Sequence, residues 1–502
     1  MKKAFLILAV LVAILVFYGL GRAHEVNKSK SYQLPVDEQT TLAQWRLTLR
    51  AQLSALASQT SVRNLARRDD ALLARLGLIA NAEQSIDLQY YIFAEDEVGH
   101  LLSFALWQAA ERGVRVRMLL DDMQKRSDDT LLKLAAHPNI EVRLFNPLGS
   151  RVLGSIALLA DVGSLNRRMH NKALIVDGVG AVVGGRNIGD EYLLPEAEVE
   201  FGDYDLLVIG EVVPQIGAQF DQYWNSASAQ PVSHVLGREW QLQTPRVQAW
   251  VGQLSEHYSA HTYWLLAQDW LDTLALNSWH QGLAALFFDD PAKIDNPQAT
   301  EQRILDQIGQ AMLQANQRIL LVSPYFIPTQ SGVDALIAAK SRGLDITIVT
   351  NSLSSNNVLQ VHGWYAKYRH ALLKAGILLW EVKGTQHDEQ LDLLLKTSLH
   401  AKTFVLDHRH VFVGSFNFDP RSAYLNTELG IMIDAPALAQ QIEQQVARLL
   451  PATAYQLTLN EQEQIRWQDH QNQITYSQEP ETALWRRWGA KIYGWMPVES
   501  LL

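Results

Sequence analysis

The chain moves through three regimes of apolar and polar positions. After Lys2 and Lys3 the residues from Ala4 to Leu20 are uncharged and apolar without a break. A run of that length sits at the short end of what crosses a bilayer as a helix. The small residues Gly21 and Ala23 keep a cleaved signal peptide open as the competing reading of residues 1–22. Residues 23–75 are polar and mixed, a linker running into a helix. Beyond them, strand-period and helix-period segments alternate. Ser85–Phe93 (SIDLQYYIF), Val114–Leu120 (VRVRMLL) and Ile140–Phe145 read as strands, and Gly99–Arg112 reads as an amphipathic helix. Strands alternating with helices predict an α/β chain whose sheets are covered by helices.

An internal repeat organises this pattern. Arg112-Gly113-Val114, His170-Asn171-Lys172 and Gly184-Gly185-Arg186-Asn187 in the first half are matched by Arg342-Gly343-Leu344, His400-Ala401-Lys402 and Gly414-Ser415-Phe416-Asn417 in the second. Gly113 and Gly343, His170 and His400, and Asn187 and Asn417 are all 230 residues apart. Convergent packing would not hold three landmarks at one offset, so two domains of similar fold are expected, at 76–230 and 282–455. The second begins with the apolar strand LAALFF. Residues 231–281, with Trp240, Trp250, Trp264, Trp270 and Trp279, read as connecting helices packed beside or between the domains. Residues 456–502 form a Trp-rich tail, in which Trp488, Ile492 and Trp495 share a helical face with Arg486, Arg487 and Lys491 among or beside them. That tail suits either a bilayer headgroup boundary or a terminal helix packed on the domain. The apolar segment Leu148–Leu165 is expected as a buried connection or a lining to a lipid entrance.

Each half carries the same chemistry-bearing string, His-x-Lys-x4-Asp-x6-Gly-Gly/Ser-x-Asn. It runs from His170 through Lys172 and Asp177 to Asn187, and from His400 through Lys402 and Asp407 to Asn417. Alternation on a strand puts His and Lys on one face. An imidazole can then attack phosphorus while the ammonium two residues on holds a nonbridging oxygen. Asn187, Asn417 and the Ser415 hydroxyl are further donors for the same oxygens. A phosphodiester repels nucleophiles, and fixed cations and donors answer that repulsion. Two histidines supply a nucleophile and an acid for the leaving oxygen. Asp177 and Asp407 belong to the motif, but each follows four apolar residues at a turn, which assigns them a structural part near the site. An orienting carboxylate is expected at each imidazole. Glu428, opening the strand LGIMI, and Asp205, opening LLVI, are the candidates, with Glu191 and Asp203 as rivals.

Composition narrows the choice. The chain has 502 residues, 48% hydrophobic and 19% charged, with a formal net charge of −10 and no cysteine. Two cores with extras fit that length. Disulfides, thiolate metal sites and a cysteine nucleophile are excluded. The acidic balance offers a nucleic acid no bulk attraction. No histidine pair stands at metal-ligand spacing with carboxylates, and no nucleotide-binding glycine motif occurs, so neither metal nor cofactor is expected.

The duplicated motif resembles that of the phospholipase D superfamily over most of residues 76–450. The strings MHNKALIVDG, VVGGRNIGDEYL, FDQYWNS at 220–226 and the closing MPVESLL are similar to bacterial cardiolipin synthases of that type, above all to their C group. The resemblance implies two phospholipase D-like domains, each a mixed β-sheet flanked by helices, behind an N-terminal membrane helix. It implies phosphatidyl transfer between two phospholipids through a phosphatidyl-histidine. His170 would be the nucleophile and His400 the acid and then the base, with Lys172, Lys402, Asn187 and Asn417 on phosphate. Gly185 stands where the second half has Ser415, as is usual in this group. Phospholipids and a membrane would be the partners. The place would be the bacterial cytoplasmic membrane, with the catalytic domains on its periplasmic or outer side. A phospholipid hydrolase shares every motif residue, and a nuclease of the superfamily is the more distant alternative.

Overall fold

The computed structural model describes residues 28–495, apart from 55, 57, 123–126, 148–166, 195–198, 297–301 and 389–392. The apolar run Ala4–Leu20, the segment Leu148–Leu165 and the closing MPVESLL lie outside the described residues. Among the described residues no helix is long and apolar enough to cross a membrane.

The first half contributes β1 (Thr60–Leu65), β2 (Ser85–Tyr90), β3 (Arg115–Asp121), β4 (Ile140–Phe145), β5 (Ala173–Val176), β6 (Gly180–Gly184), β7 (Val199–Gly202), β8 (Asp205–Gly210), β9 (Ala229–Pro231) and β10 (Trp279–Gly282). All but β7 form one sheet in the order β10-β1-β8-β6-β5-β2-β3-β4-β9. The second half contributes β11 (Ala284–Phe288), β12 (Arg318–Val322), β13 (Asp345–Asn351), β14 (Leu378–Val382), β15 (Thr385–Asp388), β16 (Leu393–Leu399), β17 (Thr403–Leu406), β18 (His410–Gly414), β19 (Leu429–Asp434), β20 (Ala454–Leu459), β21 (Ile465–Asp469) and β22 (Ile474–Tyr476). Its sheet runs β11-β19-β18-β17-β12-β13-β14-β20-β21-β22, and β7 pairs with β16 in a small third sheet that joins the halves.

The repeat read from the motifs is a repeat of topology. The order β1-β8-β6-β5-β2-β3-β4-β9 is that of β11-β19-β18-β17-β12-β13-β14-β20, with β2-β3-β4 and β12-β13-β14 parallel and every other joint antiparallel in both. The glycines of the first landmark end the helices Glu97–Glu111 and Thr329–Ser341. Gly113 and Gly343 follow them at φ of 94° and 97°, a conformation that costs a residue with a Cβ. The first of these helices is capped by Asp96, which accepts from Gly99 N at 3.0 Å.

Period-two alternation divides each strand between two cores. In β5, Ala173 and Ile175 face the centre of the molecule, and Leu174 and Val176 face the outer layer. In β17 the same division puts Val405 inside and Phe404 and Leu406 outside. The inner faces of both sheets and the helices Val213–Asn225 and Pro436–Thr453 share one central core. Each fully buried aliphatic side chain there contributes about 1.5–3 kcal/mol. The segment 231–281 does not lie between the sheets. Its helices Pro245–Tyr258 and Thr262–Gln268 cover the outer face of the first half, where Trp107 meets Trp250 edge-on at 5.9 Å and Phe104 meets Trp264 at 5.4 Å.

The motif aspartates sit at the far ends of β5 and β17 from the histidines, on the order of 20 Å away at the usual strand rise. Asp177, at φ 53°, accepts from Gln84 N (2.8 Å), Ser85 N (2.9 Å) and Glu83 N (3.0 Å). Asp407, also at φ 53°, accepts from Asn316, Gln317 and Arg318 N at 2.8–3.1 Å. Both carboxylates are spent on holding the start of the neighbouring strand, β2 or β12, so neither acts on phosphate. Asp177→Ala orphans three backbone donors at about 1–3 kcal/mol for each one that stays buried. We expect a fall of several degrees in melting temperature with turnover per folded molecule kept. Parallel loss of activity in a variant that melts like wild type would contradict the assignment.

Candidate active site

The two motifs meet where the halves exchange backbone hydrogen bonds. Met169 bridges Thr427, so that His170 N donates to Thr427 O and Thr427 N to Arg168 O, each at 2.9 Å. In the other half Leu399, the last residue of β16, pairs with Gly202, and His400 N and Ala401 N donate to Gly202 O at 2.7 and 2.9 Å. The next residue along is in each case a carboxylate of the opposite half. Glu428 Oε2 lies 2.8 Å from His170 Nδ1, and Asp203 Oδ2 lies 2.5 Å from His400 Nδ1. Each histidine is thus oriented by the other half, in a pseudo-twofold exchange. With Nδ1–H on the carboxylate, Nε2 is the nitrogen that carries the lone pair of each ring. Tyr91 packs edge-on to His170 at 5.1 Å and Tyr192 to His400 at 5.3 Å.

Lys172 and Lys402 complete the cluster. Lys172 Nζ bonds to His170 O (2.6 Å) and lies 5.5 Å from the centre of the Tyr91 ring. Lys402 Nζ bonds to His400 O and lies 2.9 Å from His400 Nδ1. Both lysines are buried and feel each other and both orienting carboxylates. Burial pushes Lys172 down to about 7 and Lys402 down to about 8, with Glu428 and Asp203 opposing. His170 is held well below its usual value and His400 at about 4, by burial first and then by the ammonium groups. The two carboxylates differ. Burial raises Glu428 to about 7 against the pull of Lys172 and Ser415. For Asp203, Lys402 and His400 outweigh burial and bring it to about 2.

The other candidate residues fall in several places. Asn187 and Asn417 are buried at the ends of β6 and β18. Asn187 Oδ1 accepts from Ile92 N at 3.3 Å, while Asn417 Oδ1 has no partner among the described residues. Ser415 is committed elsewhere. Its hydroxyl donates to Glu428 Oε2 and accepts from Leu429 N, so its one proton is not offered to phosphate. Gly185, its counterpart, makes room instead, since a Cβ there would stand 2.2 Å from Asp203 Oδ1.

Asp205 does not orient an imidazole. Its carboxylate pairs with Arg75 (2.9 Å) and Arg186 (3.4 Å) inside the first half. Glu191, in the short helix Asp190–Leu193, feels Tyr192, Asp96 and Asp190 and has no imidazole partner among the described residues either. Register explains why Asp203 takes the place. Gly184 pairs with Asp205, and the equivalent Gly414 pairs with Gly430, so the counterpart of Glu428 is two residues before Asp205. Two residues that the motif omits also grip the site. Asp121 Oδ2 accepts from Met169 N at 2.9 Å, and Asn351 binds both N and O of Leu399 at 2.9 Å. Each pins the residue before a motif histidine, and each ends an equivalent strand, β3 or β13. The 230-residue offset between Asp121 and Asn351 was the signal available in the sequence. Among the described residues no three His, Asp or Glu side chains gather as a metal site.

Two oriented imidazoles and two ammonium groups thus form one cluster, and comparison with known proteins gives the chain a family. Residues 76–224 and 308–450 match the model of the cardiolipin synthase, PLD-like domain. The chain belongs to that family. It is 40% identical over 449 residues to cardiolipin synthase C of Escherichia coli, covering 86% of this chain and 94% of that one. It is 28% identical over 385 residues to a cardiolipin synthase of Geobacillus kaustophilus, 76% of this chain and 63% of that one. A solved phosphatidylserine synthase of Haemophilus influenzae shares the fold with a TM-score of 0.58 at 14% identity, over 91% of this chain and all of the other. The two matched segments of the PLD-like family contain His170 with Lys172 and His400 with Lys402, one pair for each half.

Proposed function

We propose that this chain makes cardiolipin by phosphatidyl transfer through a covalent histidine intermediate. The observation that carries the reading is the exchanged pair of His–carboxylate contacts, His170 with Glu428 and His400 with Asp203, enclosing Lys172 and Lys402. His170 Nε2 attacks the phosphorus of a phosphatidyl donor such as phosphatidylglycerol. The bond from phosphorus to the headgroup oxygen breaks, its electron pair stays on that oxygen, and His400 supplies the proton. The headgroup hydroxyl of a phosphatidylglycerol acceptor then attacks phosphatidyl-His170. His400 takes the proton, the N–P bond breaks and cardiolipin leaves. Lys172 and Lys402 bind the nonbridging oxygens, with Asn187 and Asn417 at their margin.

The unequal carboxylates support this division of labour. Asp203, held at about 2, stays ionised and stabilises a cationic His400, which an acid–base residue needs. Glu428, raised to about 7, offers a cation at His170 less support and leaves that ring neutral for attack. His400 is low in the free enzyme through burial first and then through the two ammonium groups that face it. An arriving phosphodiester anion offsets them and raises its proton affinity.

Product analysis tests the reading. The purified full chain is given phosphatidylglycerol vesicles, with and without phosphatidylethanolamine, and cardiolipin is the expected product. Phosphatidic acid as the main product in either mixture would replace the transferase reading with a hydrolase. A pH profile tests the role of the lysines. Both have free-enzyme values depressed to about 7 and 8, so raising the pH through that window removes the cations that bind phosphate. We expect kcat/KM to fall above pH of about 7–8, with the limb in kcat displaced upward because bound phosphate stabilises both ammonium groups. A kcat/KM flat to pH of about 10, the range of an unperturbed lysine, would contradict this.

A further inference from the structure

The helix Leu484–Trp495 faces the wrong way for an element whose task is to close the fold. Its small residues point inward. Gly489 abuts the Leu359 side chain, Ala490 is buried, and Gly494 lies on the carbonyl of Gly363 in the helix Leu359–Ala366. The helices touch backbone to backbone, since a Cβ at Gly363 would stand 2.3 Å from Ala490 O. The large apolar residues point outward. Leu484 is 70% exposed, Trp485 70%, Trp488 64% and Ile492 57%. At helical spacing they make one continuous apolar stripe. A soluble helix normally arranges its residues the other way round, and an exposed patch of this kind marks a docking surface.

Charge and position say what docks there. The chain carries a net −10, yet this helix holds Arg486, Arg487 and Lys491 and no acidic residue. Arg486 is turned inward, bonding to Leu353 O (3.0 Å) and Asn356 O. Arg487 bonds to the neutral Thr482 and Gln478, and Lys491 lies 5.7 Å from the Trp488 ring, so among the described residues no carboxylate neutralises either cation beside the stripe. Tryptophan with basic residues at its flank is the pattern of an anionic headgroup boundary. The loop that Arg486 grips follows Asn351, which pins Leu399 beside His400. The stripe is therefore coupled to the end of the sheet that carries the reactive cluster.

We propose that Leu484–Trp495 is an interfacial docking helix that seats the molecule on an anionic phospholipid bilayer. Trp485, Trp488 and Ile492 enter the boundary between headgroups and acyl chains, and Arg487 and Lys491 lie at lipid phosphates. The proposed reaction enters only as the reason for bringing the site to headgroup level. The chain has no cysteine, so an Ile492→Cys variant of the full-length protein takes a single environment-sensitive nitrobenzoxadiazole label. Leu313→Cys, on the helix Ile304–Gln314 and 71% exposed, is the control. With vesicles of phosphatidylcholine and phosphatidylglycerol, the label at 492 should shift to the blue and be quenched by nitroxide lipids, while that at 313 should not. Equal behaviour at both positions overturns the proposal. So does a blue shift at 492 without vesicles, which would mean that a second copy of the protein covers the stripe. The combined variant Trp485→Ser, Trp488→Ser, Ile492→Ser should lose about tenfold or more in turnover of vesicle phosphatidylglycerol. It should keep its turnover of monomeric dihexanoyl-phosphatidylglycerol. Equal loss on both substrates would make the helix merely structural. The label readout needs no catalysis, so it stands even if the proposed reaction fails.

Discussion

His170→Ala is expected to bring phosphatidyl transfer to background, a loss of at least about 10⁴-fold, because the proposed covalent intermediate forms on this ring. His400→Ala should cost about 10²–10⁴-fold on natural lipids, the worth of a general acid–base group. The two differ in what rescues them. A phosphatidyl ester of p-nitrophenol needs no protonated leaving oxygen, so His400→Ala should recover the first step on it and release nitrophenolate in a burst. The second step still lacks its base, and the phosphatidyl group should accumulate on the peptide containing His170, where mass spectrometry can find it. His170→Ala should show no burst with either substrate. A burst from His170→Ala with none from His400→Ala would reverse the two roles, and a burst from both would remove the covalent step from this pair.

The orienting carboxylates carry the second large effect. Asp203→Asn and Glu428→Gln leave the packing almost unchanged, but each amide can present the wrong atom to Nδ1 and favours the tautomer whose Nε2 carries the proton. Losses of about 10³–10⁴-fold in kcat are expected, the scale seen when a carboxylate behind a catalytic imidazole becomes an amide. Because the contacts cross between halves, the losses should cross as well. Asp203→Asn, in the first half, should behave like a His400 defect and be rescued by the nitrophenyl ester. Glu428→Gln, in the second half, should behave like a His170 defect and not be rescued. Melting temperatures near wild type separate these outcomes from unfolding. Rescue of Glu428→Gln but not of Asp203→Asn would show that each carboxylate serves its own half's histidine in solution, contrary to the 2.8 and 2.5 Å contacts.

Much of this was legible in the chain. Alternating strands, the 230-residue offset and the paired His-x-Lys strings are local patterns, and local patterns survive translation into β5, β17 and the residues just before them. Asp177 was read as structural and near the site; its three backbone contacts fit a structural part, but at the end of β5 far from His170. The orienting partners were not legible in the same way. Asp203 and Asp205 are two residues apart, so alternation puts them on one face and cannot rank them. What ranks them is the pairing of Gly184 with Asp205 against that of Gly414 with Gly430, and the loop lengths there differ between the halves. The offset drops from 230 between the paired glycines Gly184 and Gly414 to 225 between Asp203 and Glu428.

Ser415 illustrates the same limit. Its hydroxyl is a fair phosphate donor in sequence, and only the approach of Glu428 in space takes that proton away. The sequence by itself determined two things here, the duplicated fold and which histidines and lysines are brought together, because both rest on residues within a few positions of one another. The tertiary structure alone decided which carboxylate serves which ring, which donors stay free for substrate, and which way the terminal helix turns its tryptophans. The first depends on contacts 197 and 258 residues apart, the second on one only 13 apart but set by strand register, and the third on contacts 130 and 133 apart; sheet and helix packing fixes all of them, not any local pattern.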